Sequence, residues 1–531
     1  MKQYFTLDFL KGQRLLLLVF LLLHIAIASI HISQQSITFD EGDYYTYSVR
    51  WLQGKVERTD KMYDSKSPFT AVAAIPRIIR QLANPNYHAT DFGHNDLLNG
   101  RYFMVIYTII IALYLFKLIR KLFGEKAWIL PLLFFLFEPT VLSYSMIITS
   151  DMASGACLLA TIFHLHAFYE TRIKKQFILF SIFLGLSFVC KASLLFLLPY
   201  LFLLLIVLLF TRKVRFNVKR ILLYGMIMLV IITTVINAAY FAKDSFRPLH
   251  NMQLRSEVFK TLSSTRFINA VPIPLPHNYI DALDLLQYHK EIGAGTTESS
   301  YPGVTVGDTT KYKGGFWYYY LYTGFFKIPV AILLILIFGI FQFLYPGSRL
   351  RSYHLWFILP AVFFLCVLSF YNPFQLGFRH FLLIYPLIFV AIAAIIQSIT
   401  KYNLFINKTP FVLLGYMLIS VTFYFPHLLS YTNELIIDKS TVFRKLKDGS
   451  IDYGQNSAAY EKFLSHNPTY QAPTSFPTPG KYLVKASRLM DHKLLPDHSW
   501  LNNFTPVGHY QFSMFLFHIA EEDIQKQKGR Q

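Results

Sequence analysis

Residues 38–43, TFDEGD, place two adjacent carboxylates, Asp40 and Glu41, a few residues past an apolar run that opens the chain. A carboxylate at a membrane surface can take a proton from an attacking hydroxyl, or it can be a solvated helix end. Other ionisable residues interrupt the apolar pattern: Asp151 in SMIITSDMASG, Lys191 between two short apolar runs, and the Arg379-His380 dipeptide. Such groups are costly near a bilayer and point to function by default. Each also has a plain reading. Asp151 suits a helix cap or first turn, and Lys191 and Arg379 suit snorkelling side chains. Convergence favours a site, because acids and bases from at least four separated segments fall at one depth.

The elements that must position these residues are membrane helices. The 531 residues are 54% hydrophobic, 17% aromatic and only 15% charged, against about 25% charged in soluble chains. A crossing needs about 20 apolar residues. That ruler gives eleven spans, near 13–32, 101–119, 127–146, 152–169, 177–190, 192–211, 221–241, 324–345, 354–371, 380–398 and 410–428. The net charge of +20 reads as topology rather than nucleic-acid binding, since basic clusters at 117–126, 172–175, 212–220, 349–351 and 401–408 all fall on one side if the N-terminus is cytoplasmic. The same assignment puts the long polar segments 33–100, 242–323 and 429–531 together on the opposite face. The predicted organisation is a transmembrane domain over 1–428 and an extracytoplasmic mixed α/β region over 429–531. Cys157, Cys190 and Cys366 lie in apolar runs and define no disulfide framework. No Walker loop and no GxGxxG follows a strand, so an activated donor is expected from within the membrane.

With these residues on the page, the chain resembles the membrane glycosyltransferases of the C fold that include protein O-mannosyltransferases and lipid A aminoarabinose transferases. FDEGDYY is similar to the family's Asp-Glu motif, and SKSPF at 65–69 to its Lys-Pro-Pro or His-Pro-Pro stretch, followed by a juxtamembrane helix over 69–83. NGRYFMVIY, SYSMIITSDMA, GLSFVCKASLLFLLP, GFFKIPVAI, GFRHFLLIYPL and FPHLLSYTNEL resemble further landmarks in the expected order. IDYGQNSAAYEKFL is similar to an Asp-Trp-Gly-Gln stretch of bacterial members, with Tyr453 at the tryptophan position.

The resemblance implies transfer of a sugar from a polyprenyl-phosphate donor to a protein or glycolipid acceptor. Asp40 matches the general base of a single inverting displacement, with Glu41 supporting it. Arg101 matches an arginine implicated in lipid-phosphate binding, as a guanidinium suits bidentate phosphate contact. Asp151, Lys66, Lys191, Lys327, Arg379 and His380 are further substrate-binding candidates; Lys327 also reads as a helix anchor. No cofactor is required. A divalent metal is left open, because Ser65 stands where some aminoarabinose-type members carry a metal-binding glutamate. His24, His164 and His166 read as satisfied core histidines, and Glu138 as a partner for a backbone group freed by Pro139. The bacterial inner membrane is the expected location, with the endoplasmic reticulum as alternative. The loop 295–320 reads as a lid over the site. A flippase for lipid-linked saccharides is the competing reading, and an envelope scaffold a third.

Overall fold

The computed structural model describes residues 7–56, 66–84, 87, 93–211, 217–265, 269–292, 316–344, 354–371, 375–400, 406–446, 449–489 and 498–528. Residues 295–315 of the expected lid, Ser65, and parts of the basic clusters at 212–216, 349–351 and 401 lie outside those residues.

Among the described residues five helices have the length and composition to cross a membrane: Gly12–Ser33, His94–Phe123, Asp151–Thr171, Ala192–Phe210 and Val218–Ala239. Shorter apolar helices cover Val330–Leu344, Trp356–Tyr371, Tyr385–Ile399 and Thr409–Tyr424. The first long helix, α1 (Leu7–Ser33), is followed by α2 (Glu41–Leu52), α3 (Ile75–Ala83), α4 (His94–Arg101) and α5 (Ile106–Phe123). α3 is the juxtamembrane helix, preceded by a 3-10 turn over Pro68–Ala74. Its Ile79 and Leu82 are exposed while Arg77 is buried.

The expected span at 127–146 is two pieces, α6 (Ile129–Phe137) and α7 (Pro139–Tyr144). Pro139 cannot donate to the ladder, and Glu138 caps the restart by accepting from the Val141 N–H at 2.7 Å. Residues 145–150 then run as non-helical chain into α8 (Asp151–Thr171). α8 is buried along most of its length, and its small residues permit close packing, as between membrane helices generally. It lies against α9 (Lys174–Cys190) and the turn Phe378–Leu383. α9 ends at Lys191, which is extended, and a 3-10 turn leads into α10 (Leu197–Phe210). α11 (Val218–Ala239) is peripheral: only 11% of its apolar window is buried, so its Leu and Met side chains face lipid.

Beyond the helices, residues 470–519 form a four-stranded sheet. The strands are β1 (Tyr470–Gln471), β2 (Gly480–Lys485), β3 (Gly508–Tyr510) and β4 (Met514–Ile519), in the order β1-β2-β4-β3. β1 runs parallel to β2, and the other pairs are antiparallel, with Leu483 opposite Leu516. Tyr482, Val484, Phe515 and Phe517 pack on Val442 and Phe443, while Leu483 and Met514 pack on Tyr460 of the helix Ser457–His466. Both faces of β2 are therefore covered, which explains its continuous apolar run.

Candidate active site

The two adjacent carboxylates turn out to do different work. Asp40 precedes α2 but makes no side-chain cap, and its backbone is already helical. Glu41 turns inward. It is fully buried, accepts the Thr38 N–H at 2.8 Å and the Ile148 N–H at 3.1 Å, and is paired with Arg101 through both Nε (2.9 Å) and Nη2. Arg101 also donates to the carbonyls of Gln35 (2.9 Å) and Ser36 (2.7 Å). Arg101, expected at the lipid phosphate, is placed here as the buried partner of Glu41. Its side chain is 2% exposed and each guanidinium nitrogen already donates within the protein, so it pins the loop before Asp40 to α4 and to residue 148.

Asp40 faces outward into a cationic cluster, with its side chain 31% exposed. Arg379 Nη2 lies 2.8 Å from Asp40 Oδ2. The Tyr453 hydroxyl donates to the same oxygen at 2.6 Å and accepts from Arg379 Nη1. The guanidinium also lies over the Tyr453 ring, 4.5 Å from its centroid. Burial works to raise the Asp40 pKa, but the charges of Arg379 and Lys66 and the hydrogen bonds from Tyr453 and Arg379 outweigh it. They hold the carboxyl well below the usual carboxylate range. Lys66 is buried beside them, its ammonium 4.3 Å from the centre of the Tyr44 ring.

A second acid–cation pair completes the cluster. Asp151, the first residue of α8, accepts from Lys191 Nζ at 2.6 Å, and the break at Lys191 is what turns that side chain back toward α8. The two pairs share a field. Arg379 is attracted by both Asp40 and Asp151, and His380 lies within reach of Lys191, Arg379 and both carboxylates. Asp40, Lys66, Asp151, Lys191, Arg379 and His380, from five segments of chain, thus meet at one place.

Lys327 does not join them. It is 3% exposed and donates to the carbonyls of Leu429 (3.0 Å) and Ser450 (2.6 Å). Of the two readings of Lys327, these bonds fit the anchor, here for the chain entering the C-terminal region. The residue that sequence reasoning left without a role is Tyr453. The DYGQ stretch at 452–455 was its only signal.

Among the described residues no three His, Cys, Asp or Glu side chains gather as a metal site. Asp40 and Asp151 each face a cation, with Asp43 also near Asp40. His24 and His164 are hydrogen-bonded inside the bundle, to the Leu136 carbonyl at 2.7 Å and to Gln176 at 2.7 Å.

Two family models match the chain: that of dolichyl-phosphate-mannose-protein mannosyltransferase over residues 89–238, and that of the Alg9-like mannosyltransferase family over 314–479. Each match covers less than a third of the chain, and both liken it to membrane mannosyltransferases. No curated protein gives a significant match. Among solved structures the chain is 12% identical to the oligosaccharyltransferase AglB of Archaeoglobus fulgidus, solved with an inhibitory peptide and a dolichol-phosphate, at a TM-score of 0.46; 88% of this chain overlaps 62% of that one. It is also 12% identical to ArnT of Cupriavidus metallidurans bound to undecaprenyl phosphate, at a TM-score of 0.33, over 95% of this chain and 98% of that one.

Proposed function

We propose that this protein moves a sugar from a polyprenyl phosphate to a protein or glycolipid hydroxyl in one inverting displacement at the extracytoplasmic face. In this reading the acceptor oxygen attacks the anomeric carbon, the bond from that carbon to the phosphate oxygen breaks, and Asp40 takes the acceptor's proton. The polyprenyl phosphate departs with the bonding electrons, and Arg379, Lys66 and Lys191 meet its charge, with His380 beside them as a hydrogen-bonding group. Asp151 orients Lys191. The observation that carries the reading is the partly exposed Asp40 carboxylate facing these cations at a single centre.

The low pKa of Asp40 fits a resting enzyme. A carboxylate held by Arg379 is a weak base; a donor phosphate that draws the guanidinium away raises its basicity when the acceptor is to be deprotonated. On the expected eleven-span topology with a cytoplasmic N-terminus in the bacterial inner membrane, the cluster would lie on the outer side; the five long and four shorter apolar helices support a membrane protein. The family matches favour transfer chemistry over a flippase. The direct test is Asp40→Asn in membranes supplied with a labelled polyprenyl-phosphate sugar. Transfer is expected to fall by about 10²–10⁴-fold, with donor binding kept; transfer at the original rate would falsify the base assignment.

A further inference from the structure

Tyr453, in the C-terminal region, touches the acid–cation pair itself. Its chain is tied to the loop that carries Asp40: the Ser36 N–H donates to the Gln455 carbonyl at 2.7 Å, the Phe39 N–H to the Tyr453 carbonyl at 3.0 Å, and the Ala458 N–H to Ser36 Oγ at 2.9 Å. The same chain is tied to the turn that carries Arg379, because the Phe378 N–H donates to Ser450 Oγ at 2.9 Å. Gln455 locks the bend from within by accepting the Tyr453 N–H at 2.6 Å and donating to the Ile451 carbonyl at 2.8 Å. Asp452 accepts the N–H groups of Gly454 and Ser487, both at 3.0 Å, which fixes the bend to the end of β2. The ring is buried, 4% exposed, so its hydroxyl direction is set by packing rather than chosen by solvent.

We infer that Tyr453 is a positioning residue for the transfer step: its hydroxyl holds Asp40 Oδ2 in place when Arg379 turns to the donor phosphate. This rests on the reading of Asp40 as base. In the resting structure Asp40 Oδ2 has two partners, Arg379 and Tyr453, and only Arg379 has a charge that a phosphate can recruit. Once Arg379 leaves, Tyr453 is the remaining hydrogen-bond donor on that oxygen. A carboxylate with no such donor would be free to rotate away from the acceptor, and a misplaced base loses rate rather than affinity. The groups facing Asp40 at that point are Lys66, Asp43, Tyr44, His380 and Tyr453.

The test is steady-state kinetics of the full chain in membranes with polyprenyl-phosphate sugar and acceptor, comparing Tyr453→Phe, Tyr453→Trp and Asp40→Asn. Tyr453→Phe keeps the ring under Arg379 and removes only the hydroxyl. It is expected to lower kcat by about tenfold with donor KM within about twofold, the pattern of an interaction needed at the chemical step. The acid limb of kcat, which reports the donor-bound enzyme, is expected to rise by about one pH unit, since loss of a hydrogen bond to the carboxylate disfavours its charged form. Tyr453→Trp returns a ring with an N–H donor and is expected to recover part of kcat. A Tyr453→Phe enzyme with unaltered kcat and acid limb overturns the proposal, as does one that loses donor affinity and kcat together with the limb unmoved. Should Tyr453→Phe misfold, Tyr453→Trp carries the decision: kcat below the parent with donor KM within about twofold supports the role, and about tenfold weaker donor binding with kcat unaltered overturns it. If Asp40→Asn abolishes transfer while Tyr453→Phe behaves as the parent, only the positioning role fails. If Asp40→Asn is active, the base reading fails and this inference with it.

Discussion

Replacing Arg101 by methionine separates a structural arginine from a phosphate ligand. Met fills much of the volume but removes every donor, leaving Glu41 fully buried with only the N–H groups of Thr38 and Ile148. Breaking a buried pair from one side costs on the order of 3–5 kcal/mol, because the remaining carboxylate has lost its compensating charge; the freed carbonyls of Gln35 and Ser36 add to that. Since the whole stability of a folded domain is about 5–15 kcal/mol, a large fall in the thermal midpoint of the detergent-solubilised protein is expected. The paired change Glu41→Gln with Arg101→Met removes both charges, and it is expected to be less damaging than the sum of the two single changes. Thermal unfolding of all three variants, with donor binding measured on the folded fraction, is the assay. Arg101→Met with parental stability but lost donor binding would refute the reasoning and restore the phosphate role.

Lys191→Met is expected to weaken donor binding and also to lower stability, because Asp151 is 4% exposed and would lose its ammonium partner; donor titration and a melting curve check both. Gly454→Ala is expected to cost about 1–2 kcal/mol from the backbone alone, since φ is +86°. The added Cβ would also lie 2.8 Å from the Phe39 ring, so activity should fall with stability, and parental activity in this variant would show that the loop tolerates displacement.

Much of the centre was legible because membrane helices leave few places for charge. Asp40, Asp151, Lys191 and Arg379 stand out against apolar surroundings, and a Glu-Pro pair inside an apolar run announces a helix break. What sequence could not supply was the direction of neighbouring side chains. Asp40 and Glu41 are adjacent and chemically alike, yet one faces Arg379 and the other Arg101, a choice fixed by how α4 and residues 145–150 close around the loop. The burial of Arg101 and Lys327 was illegible for the same reason: donation to backbone carbonyls is a property of the folded chain, not of a residue type. Tyr453 lies 413 residues from Asp40, so no periodicity or local spacing connects them.

The ties between residues 449–458 and the loop before α2 make the order of synthesis matter. On the proposed topology, a growing polypeptide that has threaded its first 428 residues into the bilayer holds Asp40 outside with Arg379 and the Arg101 ties in place, but without Ser450, Tyr453 and Gln455, which are still to come. Such an unfinished chain would hold its base from one side only. Competence would arrive only when the late-made part has been exported and has closed on the earliest-made loop.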